Sequence, residues 1–281
     1  MIDPVFILGC GRSGTTILGN TLSAHPKITF LNEPRDLWFS AYPRTDIWTN
    51  RAVERRGKLV FGQDDVSEIG TATLTESFSR ALAHSGRSVL IEKLPINNFR
   101  ANFIHGMFPS ARFIYIWRNG CEVAESIETI CLNGGWFAGS DYKWKLLSDY
   151  AKQSTETEAL PDLCNTYYQK GLLEWRLSVS AAVGFLSILP KAQFVTLSYA
   201  DFTVAPLDSI KRILDYLRLD LDANIKKFAN KNVSRRRGEF RRELTDLEWQ
   251  IGGPQLAASL AACPVGFLPD PKQFAAGRRP S

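Results

Sequence analysis

Residues 4–34, PVFILGCGRSGTTILGNTLSAHPKITFLNEP, contain the pattern that decides the fold of this 281-residue chain. Val5–Leu8 is a short apolar run that ends at a glycine, which is typical of a buried strand. A loop with three glycines, GCGRSG, follows it, and apolar residues then recur at helical spacing over residues 15–24. A strand, a glycine-rich loop and a helix in this order place backbone N–H groups and the positive end of the helix around one anion.

The loop has the Gly-x-x-x-x-Gly frame of a nucleotide phosphate loop from Gly9 to Gly14, but it differs at one position. The lysine that contacts the far phosphates of a nucleoside triphosphate should follow Gly14, and this chain has Thr15 and Thr16 there. A positive charge occurs earlier in the loop, as Arg12. A planar guanidinium together with two hydroxyls suits a shorter, oxygen-rich group such as a phosphosulfate.

The motif GRSGTT, followed by a helix, His-Pro at 25–26 and Asn-Glu-Pro-Arg at 32–35, resembles the sulfotransferase superfamily that uses 3′-phosphoadenosine 5′-phosphosulfate (PAPS). The motif is most similar to that of the tyrosylprotein sulfotransferases, whose loop reads PRSGTT and is followed by a similar helix, His-Pro and Glu-x-Arg. The resemblance implies transfer of a sulfuryl group from PAPS to an acceptor hydroxyl, which leaves adenosine 3′,5′-bisphosphate. It covers the first half of the chain, so the parts that choose the acceptor do not align.

The resemblance also implies which residues bind the cofactor. In the family, an arginine at the end of a strand and a serine eight residues later hold the 3′-phosphate, and here that pair is Arg118 and Ser126, about two helical turns apart. Tyr199 and the late basic residue Arg235 resemble further cofactor contacts. The residues that would hold the phosphosulfate are Gly11, Arg12, Ser13, Gly14, Thr15 and Thr16.

Three charged residues are the implied catalytic groups. Glu33 follows the predicted strand Ile28–Leu31, at the edge where parallel sheets bind their ligands, and the resemblance makes it the general base. Lys93 lies where the tyrosylprotein enzymes carry a lysine that contacts the transferring group, and Arg12 would stabilise charge beside it. The sequence shows no cluster of carboxylates for a cation, so we expect no metal requirement.

Short apolar strands alternate with helical patterns, which predicts an α/β fold: a P-loop-type parallel sheet with helices on both faces. The strongest strand is Arg112–Trp117. Residues 35–68 show no clean period, and residues 133–160 are either an aromatic-rich lid or an aromatic cluster beneath a loop, so we expect two irregular insertions that form the acceptor pocket. We expect one domain over residues 1–268 and a loosely ordered tail over residues 269–281.

The composition is that of an ordinary soluble globular protein, with 44% hydrophobic and 22% charged residues. The net charge of +5 suits an anionic cofactor but is too small to indicate nucleic acid as a partner. Five dispersed cysteines form no C-x-x-C pair, which favours reduced thiols and a cytoplasmic location. A strand is predicted from the first residues and no apolar run is long enough to span a bilayer, so we expect no signal peptide and no transmembrane segment.

Two other functions stay open at this point. A P-loop kinase or another NTPase requires the phosphate-loop lysine and an acidic residue that holds Mg²⁺, and Thr15 stands against this alternative. A non-catalytic nucleotide-binding protein would keep the loop and lose turnover, and the joint presence of Arg12, Glu33 and Lys93 favours an enzyme instead. The sequence does not determine whether the acceptor hydroxyl belongs to a small molecule, a glycan or a peptide, nor the oligomeric state.

Overall fold

The computed structural model describes residues 2–233 and 243–261. Within them, five parallel strands form one sheet in the order β2-β3-β1-β4-β5. The predicted α/β class with a parallel sheet is confirmed. The strands are β1 (Val5–Leu8), β2 (Ile28–Asn32), β3 (Val89–Lys93), β4 (Arg112–Trp117) and β5 (Phe194–Ser198).

Helices cover both faces of the sheet, as the alternation of elements predicts. None of them, in the described part of the chain, is long and apolar enough to cross a membrane. In chain order, the helices are α1 (Thr15–Ser23), α2 (Arg35–Ala41), α3 (Glu68–Ser85), α4 (Ala101–Met107), α5 (Gly120–Leu132), α6 (Tyr142–Ala151), α7 (Leu160–Leu163), α8 (Tyr167–Leu186), α9 (Tyr199–Val204), α10 (Pro206–Leu217), α11 (Ala223–Asn232) and α12 (Asp246–Ala261).

The central strand β1 is buried on both faces, and its alternating side chains enter two separate cores. Phe6 and Leu8 belong to the larger core, which contains buried residues of α3, α5 and α8. Val5 and Ile7 belong to the smaller core, which contains residues of α1, α10 and α11. Each fully buried apolar side chain of this size contributes about 1.5–3 kcal/mol, so β1 fixes the position of the loop that follows it.

The insertion over residues 35–68 is more regular than its sequence predicts. It begins with α2 and contains two short 3₁₀ turns. The fully buried Arg100, which lies outside the insertion, donates hydrogen bonds to the carbonyl oxygens of Thr45, Lys58 and Leu59 at 2.9–3.2 Å. The prediction of a wholly irregular segment is therefore wrong, because a side chain far away in sequence orders it.

Several element boundaries also differ from the predicted ones. The sequence of residues 97–108, which ends before Pro109, predicts a single helix, whereas the structure has a 3₁₀ turn, Pro95–Phe99, followed by α4. Apolar residues at helical spacing over residues 162–189 predict one long helix, whereas the structure has α7 and then α8. Helix α8 begins after Thr166 because Thr166 and Gln169 form a capping box there. Helix α6 lies within the aromatic-rich segment over residues 133–160, and α9 was not predicted.

Candidate active site

The glycine-rich loop between β1 and α1 has the geometry of an anion site. Arg12 and Gly14 have positive φ angles of 72° and 87°, and no side chain caps the N-terminus of α1. The backbone N–H groups of the first helical turn therefore face outward with the positive end of the helix dipole. The hydroxyl of Ser13 is buried without a hydrogen-bond partner among the described residues. These features fit a phosphate or sulfate group on the loop.

Glu33, Lys93 and Thr16 meet at the carboxyl edge of the sheet. β2 pairs with β3 up to Asn32 and Lys93, and the backbone N–H of Glu33 donates to the carbonyl oxygen of Lys93 at 2.7 Å. The Nζ of Lys93 lies 2.8 Å from Oε1 of Glu33 and 2.9 Å from Oγ1 of Thr16. The pairing of two strands thus brings a carboxylate, an ammonium group and a loop hydroxyl within contact of one another.

Lys93 is fully buried, although a lysine at a strand end is usually solvated. Burial lowers its pKa, and the hydrogen bond and charge of Glu33 oppose that shift. The carboxylate of Glu33, which lies within contact, favours the charged form of this buried ammonium group. Its rigid position directs the ammonium group at the loop hydroxyl and at Glu33 together.

Glu33 has two cationic partners. Nη2 of Arg35 lies 2.6 Å from Oε2 of Glu33, on the other side of the carboxylate from Lys93. Burial raises the pKa of Glu33, but the hydrogen bonds and charges of Lys93 and Arg35 outweigh burial and hold the pKa below its ordinary value of 4.5. The residue also has a positive φ of 52°, which is uncommon for a residue other than glycine and fixes the direction of its side chain.

The low pKa of Glu33 gives a testable pH dependence. A carboxylate base works when it is ionised, so the midpoint of the acidic fall in kcat/KM should lie below the ordinary carboxyl pKa of 4.5. Arg35→Ala removes one of the two cations that depress this pKa, so the acidic limb of the pH profile should move to higher pH. The measurement is kcat/KM against pH for both proteins, with Arg80→Ala, a change at an exposed helical arginine, as the control. An unshifted limb would contradict a base role for Glu33.

A second cluster surrounds Arg12. Its Nε donates to Oγ of Ser126 at 3.0 Å, and its carbonyl oxygen accepts from Nη1 of Arg118 at 3.1 Å. Arg118 also pairs with Glu122 at 2.6 Å and stacks on the ring of Tyr199 at 4.5 Å. The structure therefore brings Arg118, Ser126 and Tyr199 to the same side of the loop, across from the Glu33 cluster.

Tyr199, which follows the edge strand β5, also packs against the glycine-rich loop at Gly14. A Cβ atom added to Gly14 would lie 2.3 Å from the Tyr199 ring, so only glycine fits there. Two predictions fall on residues outside the described part of the chain. They are the cofactor contact of Arg235 and the loosely ordered tail over residues 269–281.

A profile of the sulfotransferase family matches residues 4–223, which is most of the described chain and contains both clusters. The chain belongs to the sulfotransferase family. A curated relative is nodulation protein NoeE of Sinorhizobium fredii (strain NBRC 101917 / NGR234), which is 30% identical over 128 residues. That match covers 44% of this chain and 30% of NoeE, so this sulfotransferase spans less than a third of that relative.

Two solved sulfotransferase structures share the fold. The sulfotransferase domain from the curacin biosynthetic pathway superposes with a TM-score of 0.58 over 93% of this chain and 98% of its own, at 14% identity. The sulfotransferase domain of the Synechococcus PCC 7002 olefin synthase gives a TM-score of 0.53 over 98% and 94%, at 16% identity. The two superpositions show that these sulfotransferases share one architecture. Sequence identities this low leave the substrate of this one open.

A cavity of about 350 Å³ opens beside Glu33 in this sulfotransferase. The first insertion contributes Ile47 and Trp48 to its wall, and the second contributes Trp136 and Lys143. Both insertions expected from the sequence therefore line one cavity at the edge of the site. The remaining lining residues are Arg35, Leu94, Pro95, Ile96, Phe99, Gly139, Ser140, Glu174 and Ser178.

Sequence reasoning missed two residues that support the loop. The side chain of Asn98 accepts a hydrogen bond from the N–H of Gly9 at 2.8 Å and donates to Oγ of Ser178 at 2.6 Å. The indole of Trp136 lies against the loop, since a Cβ atom added to Gly11 would be 2.6 Å from it. A sequence signal exists for Asn98, a polar residue in the short turn that follows β3. No sequence feature near residue 136 indicates that Trp136 contacts Gly11.

Across residues 2–233 and 243–261, no group of three or more His, Cys, Asp or Glu side chains is placed to hold a metal ion.

Proposed function

We propose that this sulfotransferase uses PAPS as its donor and transfers the sulfuryl group to an acceptor hydroxyl. The observation that carries the proposal is the contact of Lys93 with both Glu33 and Thr16, at 2.8 and 2.9 Å. A base, a cation and an anion-binding loop lie within reach of one transferring group. In-line group transfer needs mainly this kind of positioning and charge stabilisation. We further propose that residues 1–268 act as one domain.

Each residue has a distinct role in the proposed reaction. When bound, PAPS supplies an electrophilic sulfur and a phosphate as the leaving group. Glu33 takes the proton of the acceptor hydroxyl as the new O–S bond forms, because a hydroxyl is a poor nucleophile until that proton begins to leave. Lys93 and Arg12 stabilise the negative charge that develops on the departing phosphate. Gly11, Ser13, Gly14, Thr15 and Thr16 provide loop N–H and hydroxyl donors for the phosphosulfate.

The cluster around Arg12 supports a second anion site. A donor with a 3′-phosphate needs such a site, and a nucleoside triphosphate does not. Arg118 and Ser126 both contact Arg12. Arg118 follows β4 and Lys93 ends β3, and these two strands flank β1 on opposite sides, so the pair lies apart from Lys93. We propose that they bind the 3′-phosphate together with Tyr199 and the basic residue Arg235.

The role of this pair can be tested by comparing two nucleotides. Arg118→Ala or Ser126→Ala should weaken binding of adenosine 3′,5′-bisphosphate by about 10- to 100-fold, since a charge-assisted contact contributes about 1.5–3 kcal/mol. Binding of adenosine 5′-monophosphate should stay nearly unchanged. Calorimetry with both nucleotides measures the difference. Equal weakening of the two would mean that the residues support the fold and that the 3′-phosphate site lies elsewhere.

The donor itself can be tested by calorimetric titration of the wild-type protein. We expect tight binding of adenosine 3′,5′-bisphosphate in excess chelator and no binding of ATP with Mg²⁺, because the loop has Thr15 in place of the phosphate-loop lysine. Sulfuryl transfer from PAPS should also persist in chelator. The reverse pattern, with ATP bound only in the presence of Mg²⁺, would assign the protein to the kinases or NTPases. Nucleotide binding without any turnover would indicate the non-catalytic alternative.

A further inference from the structure

The cavity beside Glu33 contains two pairs of opposite charges. Glu33 pairs with Arg35, and Glu174 pairs with Lys143. Glu174 is 4% exposed, and its second oxygen accepts a hydrogen bond from Nε1 of Trp136 at 2.7 Å. In the described part of the chain, four charged side chains line the cavity, and each of them already has a partner of opposite sign.

The two cations of these pairs, Arg35 and Lys143, each also contact a tryptophan ring. The guanidinium carbon of Arg35 lies 4.6 Å from the ring centre of Trp48, and Nζ of Lys143 lies 4.0 Å from that of Trp136. Such cation–π contacts add to the ion pairs and restrict both cations further. A charged acceptor would have to lose its water and break one of these pairs, which is unfavourable in a partly buried site.

Apart from Ser140 and Ser178, the side chains of the remaining wall are apolar. Ile47, Leu94, Ile96 and Phe99 line the cavity together with the two tryptophans. Its volume of about 350 Å³ lies at the lower end of the range of small-molecule sites, which is roughly 300–1,000 Å³. Burial of an apolar surface against this wall therefore contributes favourable binding free energy for a compact ligand. An extended polar chain would gain little binding free energy from the same wall.

We propose that the acceptor is an uncharged hydroxyl compound with an apolar or aromatic body, and that Trp48 and Trp136 select it. The proposal rests on the proposed function, since it names the acceptor class of the same site. It departs from the tyrosylprotein resemblance, because an acidic peptide would meet no free cation among the described residues that line this wall. Trp48 comes from the first insertion and Trp136 from the second, so the two insertions act together on one ligand.

The charge argument can be tested with two ring compounds that differ by one carboxylate. The probes are 2-naphthol and 6-hydroxy-2-naphthoate, with an acidic tyrosyl peptide and N-acetylglucosamine as further acceptors. With PAPS as donor, kcat/KM for 2-naphthol should exceed that for each of the other three by at least about 10-fold, the cost expected for burying an unpaired polar or charged group. Equal or faster turnover of the naphthoate, the peptide or the sugar would overturn the proposal.

Binding provides an independent readout if turnover is slow. 2-Naphthol should quench tryptophan fluorescence of the protein saturated with adenosine 3′,5′-bisphosphate, and the naphthoate should do so only at a concentration about 10-fold higher. Absence of 2-naphthol binding to a protein that binds the bisphosphate would overturn the acceptor class and leave the proposed function standing. Failure to bind the bisphosphate at all would instead count against the proposed function.

Variants of three tryptophans test the selecting residues. Trp48→Leu and Trp136→Leu should raise KM for 2-naphthol by about 10-fold or more, the usual effect of removing apolar contact from a pocket. Trp144→Leu is the matched control, because Trp144 packs on Phe137 at 5.5 Å instead of lining the cavity. Trp48→Leu should leave affinity for adenosine 3′,5′-bisphosphate unchanged, whereas Trp136 also touches Gly11. Equal effects at Trp48 and Trp144, or no effect at Trp48, would overturn the assignment.

Discussion

Replacement of Glu33 by glutamine is expected to lower kcat by roughly 10²–10⁴-fold, the usual contribution of a positioned general base. The amide oxygen of glutamine can still accept the hydrogen bond of Lys93, but the side chain can no longer take the proton of the acceptor hydroxyl. Affinity for adenosine 3′,5′-bisphosphate should stay almost intact. Steady-state kinetics with an acceptor that the wild-type protein sulfates, together with calorimetry, measure both quantities.

The structure also defines the competing explanation for Glu33. Its ion pairs with Lys93 and Arg35 could serve only to hold β2 and the start of α2 in place. In that case Glu33→Gln would lower the melting temperature or nucleotide affinity first, and kcat would follow them. Glu76→Gln, at an exposed carboxylate on α3, is the matched control. Near-normal kcat in Glu33→Gln would contradict the base assignment outright.

Replacement of Lys93 by methionine should have the second large effect. The methionine side chain fills most of the same buried space but removes the charge that contacts Thr16 and Glu33. Loss of one preorganised donor to a developing negative charge lowers kcat by about 10²–10³-fold. The acidic limb of the pH profile should also move to higher pH, because the positive charge of Lys93 helps to hold the pKa of Glu33 low.

A matched control separates this effect from a general loss of positive charge. Lys152→Met removes a half-exposed lysine whose carboxylate partner is 3.4 Å away, and it should leave kcat unchanged. Lys93→Met could instead lower the melting temperature together with kcat and leave the pH profile unshifted. That result would indicate a structural lysine. Retention of full kcat would contradict the proposed role of Lys93 at the leaving group.

Parts of the fold follow from local sequence alone. The apolar runs of β1 and β4 and the glycine spacing of the loop each specify one conformation through short-range sterics and burial. Glu33 could be placed beside the loop because the carboxyl ends of parallel strands share one edge. Arg118 and Ser126 could be paired because eight residues span about two helical turns.

Other parts of the site depend on residues far apart in the chain. Arg100 orders the first insertion through hydrogen bonds to three of its carbonyl oxygens. The sequence of the insertion does not indicate these bonds, because their donor lies outside it. Burial of Lys93 and the contact of Trp136 with Gly11 also arise from packing between separate segments. Each of these contacts needs a long loop to close, and local periodicity carries no information about which loops close together.

The sequence by itself determined the strands of a parallel sheet, the anion loop and the positions of Glu33 and Lys93 at strand ends, since apolar runs and glycine spacing are local patterns, whereas the order of the strands was decided by their pairing. The tertiary structure alone decided that Tyr199 closes the loop and that Arg35 holds Glu33 from the cavity side. It also decided the wall of the acceptor cavity, because Trp48 and Trp136 come from insertions without a common pattern. Backbone sterics fix the first set within a few residues, whereas the second exists only once the two cores have packed.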